Sequence, residues 1–426
     1  MARQQIPALL AALKRRLGRR NTSGCDQRRT EDPELLKLRE LFDVGSALAK
    51  TGVREQGCDT LNRAIELLRT AADAARRSGR TQICASVCGA LADALTRLGE
   101  RKDESGPLEE ALRAYDEAIA IWSAEHDQRA ATARLYRITT LSRLGERQAA
   151  NDMLLVAERE LRELIDAGVF ADSEALRAEA FLNLGTVLVR LGERRLESTY
   201  FEPAVEALRL SVRSFDREAN PLGWATAQST LATALTRLGE HGGDAAVLEE
   251  AIEAFGTALE VRTRDVAPLH WAATTTDLGA ALAALATLKG DLSCLERAVD
   301  LYRDALLVAT SESSERDFAE TQANLGSALF FLGDRRGGAE HLRASIPALE
   351  EALKDADLES APIDWMRIQI VRAAALARVG ESERDADLIE RARSTLRDVE
   401  TIAARTGADG MAALARQVGD AGFLKA

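Results

Sequence analysis

Residues Trp224-Ala-Thr-Ala-Gln-Ser-Thr-Leu-Ala-Thr-Ala-Leu-Thr-Arg-Leu-Gly-Glu240 decide the fold. Leu231, Leu235 and Leu238 stand at i, i+4 and i+7, one face of a helix. The pattern closes at Gly239, which reads as a helix stop tolerant of positive φ. Outward from here the same closure returns at Gly52, Gly99, Gly145, Gly192, Ala286, Gly333 and Gly380, in steps of 47 residues with one step of 46. A period of that size means stacked supersecondary units, here eight, each touching only its neighbours.

Seven residues before each landmark the side chain is small: Gly45, Ala92, Gly185, Ala232, Gly279, Gly326 and Ala373, with Ile138 the exception. A small residue on one face admits a second helix. That helix follows, with Ala64, Ala111, Ala157, Ala204, Ala251, Ala298, Ser345 and Ala392 twelve residues after the landmarks. Large apolar residues flank each of these at −3 (Leu61, Leu108, Leu154, Phe201, Leu248, Leu295, Leu342, Ile389) and at +4 (Leu68, Tyr115, Leu161, Leu208, Phe255, Tyr302, Leu349, Leu396). These offsets trace one helical stripe. Each unit is therefore helix A, a loop of several residues, helix B and a short linker. Pro221, Pro268 and Pro362 are expected in the linkers, stopping helix B. No stretch alternates as a strand does.

A small-residue helix A closed by Gly, then Ala-x-x-x-aromatic-x-x-Ala in helix B, resembles the tetratricopeptide repeat. Ala251, Phe255 and Ala258 carry the second motif, as do Ala111, Tyr115, Ala118 and Ala298, Tyr302, Ala305; Leu325-Gly326 and Leu184-Gly185 carry the first. Pro221 with Trp224, Pro268 with Trp271 and Pro362 with Trp365 resemble a long-repeat bacterial subfamily. The usual repeat has 34 residues, so the A–B turn is expected to be extended. The resemblance implies an all-α, right-handed superhelical solenoid over residues 33–405, with protein–protein interaction and no catalysis. Residues 1–32 then form a basic segment and linker, and 406–426 a C-terminal cap built on a short helix, Met411 to Val418.

The resemblance also implies that helix A lines a concave groove. Asp93, Thr139, Leu182, Thr186, Ser229, Thr233, Thr276, Ala323 and Ser327 are expected to face it, with Asn183, Asp277 and Asn324 beside them. Such a lining suits hydrogen bonds to a peptide backbone. The Lys and Asn pattern of the family's carboxylate-clamp members is not met. Two residues before the landmarks stand Lys50, Arg97, Arg143, Arg190, Arg237 and Arg378, interrupted by Ala284 and Phe331. This basic ladder has two readings. One is local: cations favour the helix dipole and pair with Glu100, Glu146, Glu193, Glu240 and Glu381 just beyond. The other is a track for an acidic partner.

A net charge of −12 with 29% charged residues argues against nucleic-acid binding. No apolar run reaches the length of a membrane span. The first 30 residues carry eight basic residues against Asp26, net +7, and Ile6 to Leu17 fits a short basic amphipathic helix. That segment is either a solubilising tail or cap, or a contact to an anionic membrane. Five cysteines without framework spacing point to a reducing cytoplasm. Cys84 and Cys88 share a helix face, but a metal would need further ligands, and His126 lies a repeat away. No nucleophile–base set or phosphate loop is present, so no catalytic residue, metal or cofactor is expected. The function expected is a scaffold binding a protein or peptide in the groove. The alternative is a regulatory or sensor subunit controlling a separate effector. Oligomeric state has no signature in the sequence.

Overall fold

A computed structural model describes residues 32–52, 58–102, 104–124, 129–148, 150–195, 197–311, 314–356, 358 and 362–420. The basic N-terminal segment with its expected helix, Cys25 and His126 lie outside the described residues, as do the last six positions of the expected C-terminal cap. Among the described residues the regular elements are all helical.

The chain divides into two compact units, the first ending at Phe170 and the second beginning at Ala171. The first holds α1 (Pro33–Gly52) with α2 (Asp59–Arg77), α3 (Thr81–Lys102) with α4 (Ser105–Ala124), and α5 (Arg129–Arg147) with α6 (Asn151–Asp166). The second holds α7 (Glu174–Arg195) with α8 (Phe201–Ser214), α9 (Pro221–Gly242) with α10 (Ala245–Leu259), and α11 (Pro268–Lys289) with α12 (Leu292–Leu306). It continues with α13 (Glu315–Arg336) and α14 (Ala339–Asp355), α15 (Pro362–Glu383) and α16 (Ala386–Thr406), then α17 (Asp409–Gly419). Odd helices to α15 are the A helices of the eight repeats and even ones their B partners. The protein is thus an all-α array of antiparallel helix pairs.

Each pair is held by a two-point clasp that repeats with the sequence. A Cβ on Gly185 would stand 2.3 Å from Leu208 Cγ, on Gly279 2.6 Å from Tyr302 Cε1, and on Gly326 2.5 Å from Leu349 Cγ. The small residue is therefore the seat of the large +4 residue of helix B. The landmark glycines form the second point. A Cβ on Gly99 would meet Leu108 at 2.7 Å, on Gly192 Phe201 at 2.6 Å, and on Gly239 Leu248 at 2.8 Å. The large residues of both rows are buried wherever the clasp closes this way. Burying one such side chain stabilises by about 1.5–3 kcal/mol, so each A–B pair is knit by its own sequence.

Three expectations need correction. In α9 the landmark glycine does not end helix A: the helix continues past Gly239 to Gly242, and Gly243 holds the left-handed conformation (φ 62°). Close approach, not positive φ, requires glycine at the landmark. The A–B turn is not extended either. Gly243 and Asp244 alone join α9 to α10, with Asp244 Oδ1 accepting from Ala246 N at 2.9 Å. The additional length lies in helix A, which runs 22 residues in α3, α7, α9, α11, α13 and α15. Finally, Pro221, Pro268 and Pro362 open helix A instead of stopping helix B, which ends several residues earlier. The first helical position needs no N–H and favours proline's fixed φ.

Where Gly243, Gly290 and Gly337 take the left-handed cap position, the last repeat places Arg384 (φ 56°). At the exceptional Ile138 the side chain is fully buried. Beyond α16, α17 buries Ala412 and Ala415 and packs Met411 and Val418 against the apolar stripe of α15 and α16.

Candidate interaction face

Successive A helices touch through side-chain hydrogen bonds. In the first unit Thr96 and Thr140 share a hydrogen bond of 2.9 Å, and in the second Thr276 and Thr321 do the same. Arg147 Nη1 reaches back to the Gly99 carbonyl at 3.1 Å, as Arg101 Nη1 does to that of Gly52 at 2.9 Å. Long ion pairs tie successive B helices: Arg69 to Glu110, Arg76 to Glu117 and Arg209 to Glu250, each 41 residues apart. The residues expected to bind a partner lie on the A helices.

The basic ladder is a ladder of ion pairs. Arg143 lies 3.3 Å from Glu100 and 3.6 Å from Glu146. Arg190 meets Glu193 at 2.9 Å, and Arg237 meets Glu193 at 2.7 Å and Glu240 at 3.0 Å. Arg378 pairs with Asp334 at 2.8 Å and with Glu381 at 3.2 Å. Each of these guanidiniums faces the acid of its own last turn and, where the neighbouring helix offers one, the acid of the preceding repeat. Burial pushes the Glu193 carboxyl up, but Arg190 and Arg237 outweigh it and hold the group below its ordinary range. Arg97 is exposed; burial pushes the Asp93 carboxyl up, against the pull of the Tyr115 hydroxyl and the Arg97 charge.

The hydroxyls of the expected lining are largely committed. Thr186 donates to the Leu182 carbonyl at 2.8 Å, Thr233 to that of Ser229 at 3.2 Å, and Ser327 to that of Ala323 at 2.8 Å. What they leave for a partner is acceptor capacity. Ser229 and Thr276 are buried between helices. Asn183 and Asn324 are half-buried on the A helices of their repeats.

Asp277 differs from all of these. Burial, with Glu320 and Asp317 nearby, pushes its carboxyl up to about 7, against the pull of Arg237 and Arg190. Among the described residues no hydrogen bond or ion pair reaches it. Two repeats past Arg237 the ladder row becomes Phe331, 48% exposed, edge-on to Phe330 with ring centroids 5.4 Å apart. In the second unit, then, the A-helix face passes from paired charges to a half-buried carboxyl without a protein partner and an exposed aromatic.

Two features escaped sequence reasoning. Arg262, in the turn after α10, is only 7% exposed and donates to Ser229 Oγ (3.0 Å), Thr274 Oγ1 (2.9 Å) and Thr226 Oγ1 (2.7 Å). It stitches α9 to α11, and burial lowers its pKa. In the first unit Cys84 and Cys88 of α3 meet Glu117 of α4. Burial pushes both thiols up. The shared helix face of Cys84 and Cys88 was legible; its meeting with Glu117 on another helix was not. Trp224 packs with Ala178 and Phe215 under the Arg217 guanidinium, 4.4 Å from the ring centre.

No family model matches the chain, and no curated relative does. Among solved structures it is similar to the apo form of RapI, at 15% identity over 91% of this chain and 95% of that one, with a TM-score of 0.47. It is similar to a Rap protein complexed with competence and sporulation factor, at 12% identity over 91% and 96%, with a TM-score of 0.42. A signal transduction ATPase with numerous domains from Pyrococcus horikoshii, which carries a tetratricopeptide repeat sensor, is similar at 13% identity over 91% and 56%, with a TM-score of 0.47.

Proposed function

We propose that the chain is a tetratricopeptide-type protein of the long-repeat bacterial kind, acting in the cytoplasm as a non-catalytic scaffold. Its A-helix face forms a groove for a protein or peptide partner. The observation that carries this reading is Asp277. A desolvated carboxyl without a donor is costly to ionise. A lysine or arginine brought by a partner supplies the missing charge and hydrogen bonds together, so binding energy concentrates there. Phe331, on the next A helix, offers an exposed apolar platform. Arg143, Arg190, Arg237 and Arg378 of the ladder are already paired with carboxylates, which leaves Asp277 as the stronger attachment point. No described helix is long and apolar enough to cross a membrane.

The test is selection from a peptide library of varied charge by the wild-type chain, Asp277→Asn and Phe331→Ala. The expected winners carry a basic residue near an apolar one. Their affinity drops in both variants and weakens as pH falls below about 7, where Asp277 takes up a proton. Selection of acidic peptides, with binding lost on reversing Arg143 and Arg190 to Glu, would overturn the assignment to Asp277.

A further inference from the structure

Cys84 and Cys88 sit four residues apart on α3, so both thiols leave the same helix face. Their sulfurs are 3.9 Å apart, and Cys84 Sγ is 3.4 Å from Glu117 Oε1 on α4. The three ligand atoms lie within 4.8 Å of one another. A tetrahedral zinc ion with bonds of about 2.3 Å to sulfur and about 2.0 Å to oxygen requires S···S near ~3.8 Å and S···O near ~3.5 Å. The S···S separation and the Cys84–Glu117 separation are met before any ion enters, and Cys88 and Glu117 lie within 4.8 Å. The surroundings supply what such a site needs. Arg76 of α2 donates to Glu117 Oε1 at 2.8 Å and Oε2 at 2.6 Å, orienting the carboxylate while leaving lone pairs on each oxygen. The same guanidinium stands 3.8 Å from Cys88 Sγ. With both thiols ionised, the three negative charges equal those of a divalent ion and Arg76 together. The sulfurs are buried, while the Arg76 and Glu117 side chains above them are 44% and 34% exposed, so the way in lies past a single ion pair.

We propose that Cys84, Cys88 and Glu117 bind one thiophilic divalent cation of the zinc class, with Arg76 orienting the carboxylate and the fourth position left to water. On binding, the two thiol protons pass to solvent and two metal–sulfur bonds form. The ion would clip α3 to α4 within the second repeat, independently of the partner-binding face.

The experiment titrates the full-length chain, kept reduced by a non-thiol phosphine, with Cd²⁺ and follows thiolate-to-metal absorption in the ultraviolet. Zn²⁺ competition reports the native class of ion. The wild type should saturate at one equivalent with this absorption. A variant in which Cys25, Cys58 and Cys294 are all serine should keep the full signal, a result that does not depend on how the cluster tolerates mutation. Glu117→Gln should weaken binding at least about tenfold while keeping thiolate absorption. Absence of the band in the wild type would overturn the proposal. So would its disappearance in the triple variant, which would place the thiolates elsewhere.

Discussion

Tyr115 in the first unit and Tyr302 in the second fill the same place in the repeat, yet their hydroxyls meet different fates. Tyr115 packs over the Ala92 position and donates to Asp93 Oδ1 at 2.5 Å. Tyr302 packs so tightly on Gly279 that a Cβ there would lie 2.6 Å away. Its hydroxyl makes no such bond, though burial and then the nearby Asp277 charge raise its pKa. The cause is a shift of three positions. The acid follows the small residue in the first unit and precedes it by two in the second. One placement gives a satisfied, structural carboxyl. The other gives a carboxyl that waits for a donor. Identical packing can therefore carry either a strut or a site, depending on where one acid falls on helix A.

The tightness of the second clasp is the first thing to break. Gly279→Leu should overpack it and cost about 3 kcal/mol in urea melts. Gly279→Ala, which copies Ala92, should cost less but still be measurable. If Gly279→Ala melts like the wild type, the two clasps do not differ and the comparison loses its basis.

Next in size is Asp277→Asn. The native carboxyl has its pKa raised to about 7 from 3.8. Between those values the folded state holds a proton that the unfolded chain has released, so stability falls as pH rises through that window and the loss is complete above it. The amide cannot ionise. Asp277→Asn should therefore gain about 2 kcal/mol at pH 8, after allowing for solvent around a half-buried group, and almost nothing at pH 4. A variant that gains equally at both pH values would show that ionisation is not the cause.

The fold was largely legible because the clasp is written at constant offsets, and constant offsets are what a single sequence displays. The errors came where one residue type serves two physical ends. Glycine near the end of an apolar pattern suits both a left-handed cap and a close approach, and Gly239 turned out to be the second. Proline suits both the stop of one helix and the start of the next, and Pro221 opens α9. The face was less legible. Asp277 could be placed beside the groove, but its raised pKa depends on Glu320 and Asp317 of the following helix. Burial is the larger cause of the rise, and both the burial and that proximity follow from how successive A helices pack, which no offset within a repeat encodes.

Smaller again is the hydroxyl itself. Tyr115→Phe removes the donor from Asp93 and should cost about 1–2 kcal/mol, since a buried acceptor loses its partner. Tyr302→Phe removes a hydroxyl that makes no bond and should stay within about 0.5 kcal/mol. Paired thermal melts check both. Equal costs would mean that Tyr302 holds Asp277 as Tyr115 holds Asp93.

The smallest expected effect sits on the ladder, and it carries the comparison from tyrosines to arginines. Arg143 pairs loosely, at 3.3 and 3.6 Å, with its side chain 44% exposed. Arg237 pairs at 2.7 and 3.0 Å and is the second guanidinium holding Glu193 ionised. Exposed ion pairs contribute about 0–1 kcal/mol, so Arg143→Ala should fall near the bottom of that range and Arg237→Ala near the top. Removing Arg237 also withdraws a charge that opposes the rise in the Asp277 pKa. Arg237→Ala should therefore make Asp277 still harder to ionise and move its apparent pKa further up, an effect that Arg143→Ala in the other unit should lack. The measurement is stability against pH for both variants in low and high salt. Salt should shrink the cost of the looser pair first, because screening acts within about 8–10 Å at moderate ionic strength and most strongly on solvent-exposed charges. If both variants shift the pH profile alike, the ladder acts through net charge alone, and Asp277 does not report on its neighbours.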